Sequence, residues 1–326
     1  MKKFIILFAA FVLFSSHDMF LKMGTYFLQP NQLATLKVFN GTFDKSENVI
    51  ARSRMKDVSL LGNGTRLHPD TTQWTEIDSV TILNFKTGDA GTWVAGLSTH
   101  AKNIELVAKD FNEYLQHDGL LDMLEWRTKN NALDKNAVEK YTKHVKAIFQ
   151  VGDRKSEDWK TPLGYPVEFM PERNPYDLKP GDALSVKLLW NGQPLPNQLV
   201  YIGSDGKAHG HEHDKAEAQG HEHEQKEAEE HHHDATQLRT DANGIVSLKI
   251  ENEGQWYLRT IHMVPSTEPG LTHESNWATL TFEVGHGHSH ADGGGHSDGI
   301  PTYAYWIGGL ALLVSLYFLL RRKKQD

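Results

Sequence analysis

The sequence contains no cysteine. Disulfides, thiolate zinc sites and a cysteine nucleophile are therefore excluded. Three motifs of common enzymes are also missing, namely a Gly-rich phosphate loop, a nucleophile elbow and a His-Glu-x-x-His zinc motif. A basic excess is absent too, because the net charge is −8 and the segment 209–234 alone carries −7, from nine acidic residues and two lysines. We therefore expect a protein that is not an enzyme and that has no nucleic-acid partner.

Histidine is abundant and unevenly distributed, since twelve of the nineteen histidines lie in two tracts that hold no apolar residue larger than alanine. Such tracts cannot build a core, so packing does not explain them. Neutral imidazole is the commonest protein ligand for zinc, nickel, cobalt and copper. The tracts therefore predict ligands of a divalent transition metal at His209, His211, His213, His221, His223, His231, His232, His233, His286, His288, His290 and His296. The alternative is a solvated spacer that binds metal only incidentally.

A second kind of metal site is predicted at His17. If a signal peptide is cleaved after Ser16, the α-amine and a ring nitrogen of His17 can chelate one metal together, in an N-terminal brace that suits copper. His100 and His144 are the candidate partners that would complete this site. In the alternative, His17 is an ordinary hydrogen-bonded side chain, or cleavage occurs at another position.

Both ends of the chain indicate export and a membrane. Residues 1–16 begin with Met1-Lys2-Lys3, continue with eleven apolar residues and end in two serines, which is typical of a secretory signal peptide. Residues 303–320 are apolar apart from glycine, serine and tyrosine, and four basic residues follow them. This pattern predicts one transmembrane helix with a cytoplasmic tail at 321–326. We therefore expect a single-pass protein of the cell inner membrane whose bulk lies in the periplasm.

Short alternating segments bounded by Gly, Asn and Asp indicate a mainly β protein with two β-sandwich domains of immunoglobulin-like or prealbumin-like type. The predicted divisions are a first sandwich at 17–160, a linker at 161–178, a second sandwich at 179–285, a His-rich loop within it at 208–234, and a His- and Gly-rich juxtamembrane linker at 286–300. We expect the His-rich loop to interrupt a hairpin between the strands of Tyr201 and Ile245.

One region of the first sandwich departs from the β pattern. Between residues 104 and 126, apolar residues recur at helical intervals. Asp134 has the residue type of an N-cap, and apolar residues from Val138 to Ile148 follow it at helical spacing. The sequence therefore predicts a helical excursion over 104–148.

Two sets of motifs resemble known families. The second sandwich resembles the prealbumin-like or collagen-adhesin B-type fold through Asn-Gly-x-Pro-Leu-x-Asn-x-x-Val at 191–200, Thr-Asp-x-x-Gly at 240–244 and Gly-x-Trp at 254–256. The wider chain resembles a family of domains of unknown function, DUF4198, through His17-Asp18-Met19-Phe20-Leu21, Tyr141-Thr142-Lys143-His144-Val145-Lys146-Ala147 and Trp277-Ala278-Thr279-Leu280-Thr281-Phe282. This second resemblance covers most of residues 17–284, and it implies a periplasmic component of a cobalt or nickel uptake system.

Together these patterns predict a membrane-anchored extracytoplasmic protein that captures a divalent transition metal for a membrane transporter. The family resemblance favours nickel or cobalt, and zinc and copper stay open. Two alternatives also stay open. One is a copper protein or oxidase with an N-terminal histidine brace, and the other is a structural or adhesion stalk in which the His tracts are spacers.

Overall fold

The computed structural model describes residues 17–205 and 235–285, which fold mainly into β-strands. The two α-helices in this part of the chain are α1 (Ala108–His117) and α2 (Leu121–Lys129). The strands are β1 (Asp18–Lys22), β2 (Phe27–Leu28), β3 (Leu33–Gly41), β4 (Met55–Gly62), β5 (Thr65–Leu67), β6 (Trp74–Ile77), β7 (Val80–Lys86), β8 (Gly91–Thr99), β9 (Lys102–Leu106), β10 (Ala137–Val151), β11 (Val167–Pro171), β12 (Ala183–Trp190), β13 (Gln193–Pro194), β14 (Leu199–Ser204), β15 (Thr236–Arg239), β16 (Ile245–Lys249), β17 (Gly254–Pro265) and β18 (His273–Val284).

A ten-stranded sheet forms the centre of the fold. Its main path runs β15-β14-β17-β18-β10-β8-β4-β5, and β2 and β9 also pair with β10. Within it, β10 and β18 are parallel neighbours, with Glu139 opposite His273 and Ala147 opposite Thr281. This pair joins strands from the first and second halves of the chain, so the two predicted sandwiches share one sheet.

Two smaller sheets cover the central one, and a hydrophobic core lies under each. The sheet β1-β3-β7-β6 contributes Val38 and Leu83 to a core that also contains Val145 and Phe149 of β10. The sheet of β11, β12, β13 and β16 contributes residues such as Phe169 to a second core, with Leu280 and Phe282 of β18. Buried and more exposed residues alternate in strands such as β12. This alternation follows from the layering, because only one face of each small sheet is covered by the central sheet.

The two helices cover a third core on the central sheet. Phe111 and Leu115 of α1 and Met123 of α2 are buried against Ile261 and Trp277 of the long strands β17 and β18. Most of the strands predicted from alternation are present, including those at 34–40, 79–85, 91–97, 182–190, 245–250 and 278–284. The prediction of a mainly β protein is therefore confirmed.

The predicted helical excursion over 104–148 is only partly correct. Its first part contains α1 and α2, but the helix predicted to begin at Asp134 is wrong, because Ala137–Val151 is the strand β10. All nine residues from Lys143 to Val151 are buried, since the strand is covered on both faces. A strand of this kind shows no period of two, and its pairing with β18 and β8 overrides the local pattern.

The hairpin predicted around the His-rich tract also needs correction. The strand of Tyr201 pairs with β15, where Ile202 lies opposite Thr236, and not with the strand of Ile245. That strand, β16, pairs with β12 in another sheet. The short strand β15, just after the tract, is the strand that pairs with β14.

Several predicted features lie outside the described residues. They are the signal peptide at 1–16, both His tracts, the transmembrane helix at 303–320 and the tail at 321–326. Within residues 17–205 and 235–285, neither α-helix has the length and hydropathy needed to cross a bilayer.

Candidate functional site

The three segments that carry the family resemblance meet in the folded protein. The first segment is β1, which lies against β10 and β18, the strands that contain the other two. Thr279 Oγ1 donates a hydrogen bond of 2.8 Å to the carbonyl oxygen of Met19, and Lys143 Nζ donates one to the carbonyl oxygen of His17. The motifs are therefore contiguous in space although more than a hundred residues separate them along the chain.

A buried charge cluster lies at this meeting point. Arg259 donates from Nε to Asp18 Oδ1 at 2.6 Å and from Nη2 to Asp118 Oδ1 at 2.7 Å. All three side chains are almost fully buried. Burial raises the pKa of the Asp118 carboxyl to about 6, against the opposing effect of Arg259. Burial alone would lower the pKa of the Arg259 guanidinium, but Asp18 and Asp118 raise it overall, so Arg259 stays charged.

Lys143 lies beside this cluster. Its Nζ donates to the His17 carbonyl and lies 3.4 Å from Asn40 Oδ1, and it lies 5.1 Å from the ring centroid of Trp277. Burial lowers the pKa of Lys143 to about 8, although Asp18 works in the opposite direction. The amine is therefore held in place by neutral oxygens and an aromatic ring.

Next to Lys143 is a cavity of about 490 Å³, framed by β1, β9, β10, β18, α1 and the 3₁₀ turn Arg52–Arg54. Its polar lining residues are His17, Asn40, Arg54, Lys102, Asn103, Tyr114, Glu139, Tyr141 and Lys143. Glu139 accepts hydrogen bonds from Tyr114 Oη at 3.3 Å and from Ser275 Oγ. Burial raises the pKa of the Glu139 carboxyl to about 7, against the effect of these hydrogen bonds. A cavity of this size with convergent polar groups and shifted pKa values is typical of a binding site.

His17 lines the cavity and contacts an acidic neighbour. Its Nδ1 lies 2.9 Å from Glu47 Oε2, and its Nε2 lies 3.2 Å from Asn48 Nδ2. Burial lowers the pKa of His17, and Glu47 opposes that shift. One imidazole and one carboxylate are too few ligands to fix a metal, so the site would need ligands from elsewhere.

His144 is directed away from His17. Successive side chains of a strand point to opposite faces of the sheet. Lys143 therefore reaches His17, whereas His144 lies on the opposite face. There the His144 ring stacks on Tyr165, with 5.7 Å between ring centroids. Its Nδ1 lies 3.0 Å from Ser98 Oγ, and its Nε2 lies 3.0 Å from Asn276 Oδ1. Burial lowers the pKa of His144 to about 4, which keeps the ring neutral with both nitrogens occupied.

His100, the other predicted partner, is exposed at the end of β8, and its main chain exchanges hydrogen bonds with Arg54. The predicted arrangement of His17, His100 and His144 is therefore not assembled. In residues 17–205 and 235–285, no group of three or more His, Asp or Glu side chains is placed to hold a metal ion. The tract histidines lie outside these ranges.

Sequence reasoning missed the charged residues of this site. Glu139 and Lys143 lie in β10, a segment that was predicted to be a helix, and neither was predicted to be a site residue. Arg259, which lies in β17 between the buried apolar residues Leu258 and Ile261, was not predicted to be a site residue. The signal that could have identified these residues is a charged residue with apolar neighbours along a predicted strand. Such a charge is expected to be buried, and a buried charge needs a partner elsewhere in the fold.

Comparisons with known proteins place the chain in a family but give no activity. The family model described as "Domain of unknown function (DUF4198)" matches residues 14–264. No curated protein matches the chain.

Among solved structures, the chain is similar to alpha-2-macroglobulin from Escherichia coli, with 13% identity, a TM-score of 0.21, and 82% of this chain and 15% of that chain covered. It is also similar to Salmonella alpha-2-macroglobulin, at 10% identity and a TM-score of 0.19, with 81% of this chain and 15% of that chain covered. The D0-D1 domain of intimin gives 12% identity and a TM-score of 0.16, with 81% of this chain and 97% of that chain covered. The chain thus spans a small part of the macroglobulins, and these low scores carry no conclusion about its function. On the match over most of its length, the chain belongs to the DUF4198 family of domains of unknown function.

Proposed function

We propose that the protein is a membrane-anchored extracytoplasmic binding protein that captures divalent transition metal ions for a membrane transporter. Nickel and cobalt are favoured by the family resemblance, and zinc and copper are outcomes of the test. The metal is the cargo, and the proposal assigns it to the two His tracts. In the folded part, both ring nitrogens of His144 are already occupied by hydrogen bonds.

The observation that carries this proposal is the position of the first His tract in the sheet. Residue pairs from Leu199 opposite Arg239 to Ile202 opposite Thr236 join β14 and β15 directly before and after it. The tract therefore leaves and re-enters the fold at one point of the sheet, and β15 is the edge strand there. An insertion with its ends already fixed can bind metal without any change in the cores beneath it.

The second tract and the predicted membrane anchor support the part of the proposal in which the captured ion is held close to the membrane. Residues 286–296 lie between β18 and the predicted transmembrane helix at 303–320. A captured ion held near the membrane has a high effective concentration for a transporter in the same membrane. In this proposal the prealbumin-like sandwich is the scaffold that presents the first tract, and the protein performs no catalysis.

The test compares the full chain with a variant in which all twelve tract histidines are replaced by asparagine at unchanged length. The carboxylates of the tracts remain, so any difference reports the imidazoles. Each protein is titrated with nickel, cobalt, zinc and copper by calorimetry, with His68→Asn, an exposed histidine outside the tracts, as the matched control. We expect the tract variant to lose most of its bound ions while its unfolding midpoint and the binding by the control stay unchanged.

Tight one-to-one binding that persists in the tract variant would overturn the assignment to the tracts, and His17→Asn would then test the copper brace. Metal accumulation by cells decides the transport part of the proposal. If cells that carry the tract variant accumulate as much nickel and cobalt as cells with the natural protein, the transport role is wrong and the stalk interpretation replaces it.

A further inference from the structure

Metal capture by the His tracts does not account for the cavity beside Lys143. The cavity is about 490 Å³ in volume, within the range of pockets that hold small organic ligands. We propose that it binds a small organic anion, namely a carboxylate carried on an apolar or aromatic body. The proposal is independent of metal capture and concerns only the folded part of the chain.

The charge balance of the lining favours an anion. Three cationic side chains, Arg54, Lys102 and Lys143, line the cavity, against one carboxyl group, Glu139. Within the two described ranges, none of the three cations forms an ion pair with a carboxylate. Among the described residues, the Arg54 guanidinium donates only to the carbonyl oxygen of His100, at 3.0 Å, and a guanidinium has five donors.

The carboxyl group of Glu139 does not cancel these cations. Its Oε1 accepts hydrogen bonds from both Tyr114 Oη and Ser275 Oγ, so one of its two oxygens is engaged within the protein. Glu139 is also almost fully buried, which favours its neutral form. A ligand carboxylate therefore meets a positive site.

The remainder of the lining is apolar and aromatic. Ile104, Leu106 and Met19 line the cavity together with the rings of Tyr141 and Trp277. This surface favours a ligand whose apolar part is buried when its carboxylate binds.

Two of the cations are placed against the aromatic rings. Lys143 Nζ lies 5.1 Å from the ring centroid of Trp277, and the Arg54 guanidinium carbon lies 5.8 Å from that of Tyr141. Cationic and aromatic groups are thus side by side, an arrangement that suits a carboxylate carried on an aromatic body. Lys143 and Trp277 also lie on the paired central strands β10 and β18, so their positions are fixed before a ligand arrives.

The test uses the full chain with a metal chelator present, so that ions on the His tracts cannot bind the probe. The probes are 3-phenylpropionate, octanoate and indole-3-acetate, each compared with the alcohol of the same skeleton and with its amine. Ligand-observed NMR and calorimetry measure the affinity. We expect at least one carboxylate to bind one-to-one, with the matching alcohol weaker by about tenfold and the amine weaker still.

Variants locate the binding in this cavity. Lys102→Gln and Arg54→Gln change exposed or half-buried cations, and each should weaken carboxylate binding by about threefold to tenfold. Lys179→Gln, at an exposed lysine outside the cavity, is the matched control and should bind like the natural chain. The proposal is overturned if no carboxylate binds with a Kd below about 1 mM, if alcohol and carboxylate bind equally, or if the double variant of Arg54 and Lys102 keeps full affinity.

Discussion

Asp18 Oδ1 accepts a hydrogen bond of 2.6 Å from Arg259 Nε, although 241 residues separate the two along the chain. The bond joins the first described strand, β1, to the penultimate strand, β17. Asp118 at the end of α1 accepts a second bond from the same guanidinium. One buried arginine thus fixes the N-terminal strand and the helical hairpin on the central sheet.

Replacing Arg259 by methionine should destabilise the protein strongly, because it leaves two buried carboxyl groups without their cation. Removing one partner of a buried ion pair costs about 3–5 kcal/mol. Urea unfolding of the natural and Arg259→Met chains measures this difference.

The matched control for that experiment is Arg239→Met, which breaks an ion pair with Asp122 that is largely exposed to solvent. An exposed pair contributes about 1 kcal/mol or less. Equal losses of unfolding free energy in the two variants would show that the cluster around Arg259 does not stabilise the fold in the way described.

Glu139 gives a prediction about pH. The folded protein binds the Glu139 proton more tightly than the unfolded chain does, because burial raises its pKa from 4.5 to about 7. Its contribution to stability is therefore complete below about pH 4.5 and is lost as the pH rises through about 7. Glu139→Gln keeps a neutral side chain at every pH, so the variant should gain about 2–3 kcal/mol relative to the natural protein between about pH 5 and pH 8.

Unfolding free energies of both proteins at several pH values check this sign. The control is Glu105→Gln, which removes an exposed carboxylate on the neighbouring strand β9. A constant difference between Glu139→Gln and the natural protein over the same range would contradict the prediction.

Gly62 is required by a close contact with an indole ring. A Cβ atom at this position would lie inside the contact distance of three ring atoms of Trp93. The ring cannot easily move, because Trp93 is buried and donates a hydrogen bond of 3.1 Å to the Asp89 carbonyl oxygen. We expect Gly62→Ala to lower the free energy of unfolding by about 1–3 kcal/mol.

Gly24→Ala provides the comparison, since nothing lies within 4 Å of a Cβ atom there. Thermal or urea unfolding should show that variant within about 0.5 kcal/mol of the natural protein. A Gly62→Ala chain as stable as Gly24→Ala would mean that the ring shifts at no cost.

Removal of the first His tract should not harm the fold. If residues 206–234 are replaced by a short Asn-Gly turn, β14 and β15 still pair, since Ile202 and Thr236 already lie opposite each other. Shortening the connection lowers the entropy cost of closing it, so we expect a gain of about 1–2 kcal/mol in unfolding free energy. A loss of stability on urea unfolding would show that the tract contributes contacts to the folded state.

Local sequence patterns predicted much of the secondary structure and little of the candidate site. Strands covered on one face, such as β3 and β12, alternate in the sequence and were found from that alternation. β10 was not found, because both of its faces are covered and Lys143, Lys146 and Gln150 are buried in it. Buried charges of this kind are satisfied by distant residues, as Lys146 is by Glu168 at 2.9 Å, and no local pattern shows that partner.

The cavity could not be predicted for the same reason. Its walls come from β1, β9, β10, α1 and β18, so it exists only when both halves of the chain share the central sheet. The resemblance motifs identified the three segments that meet there, but they gave neither the charges that line the cavity nor its volume. Histidine content, in contrast, is visible in the sequence alone and needs no fold to be recognised.

The parallel pairing of β10 with β18 has a consequence for the order of synthesis. Val138 and Thr272, which are hydrogen-bonded in the folded protein, are 134 residues apart, so β10 is complete on the order of ten seconds before its partner at ordinary translation rates. During that time the edge of β10 has unpaired backbone groups that can template association with other chains. A chain that stops before His273 keeps this edge open permanently, so such a fragment should aggregate and not yield a folded N-terminal half.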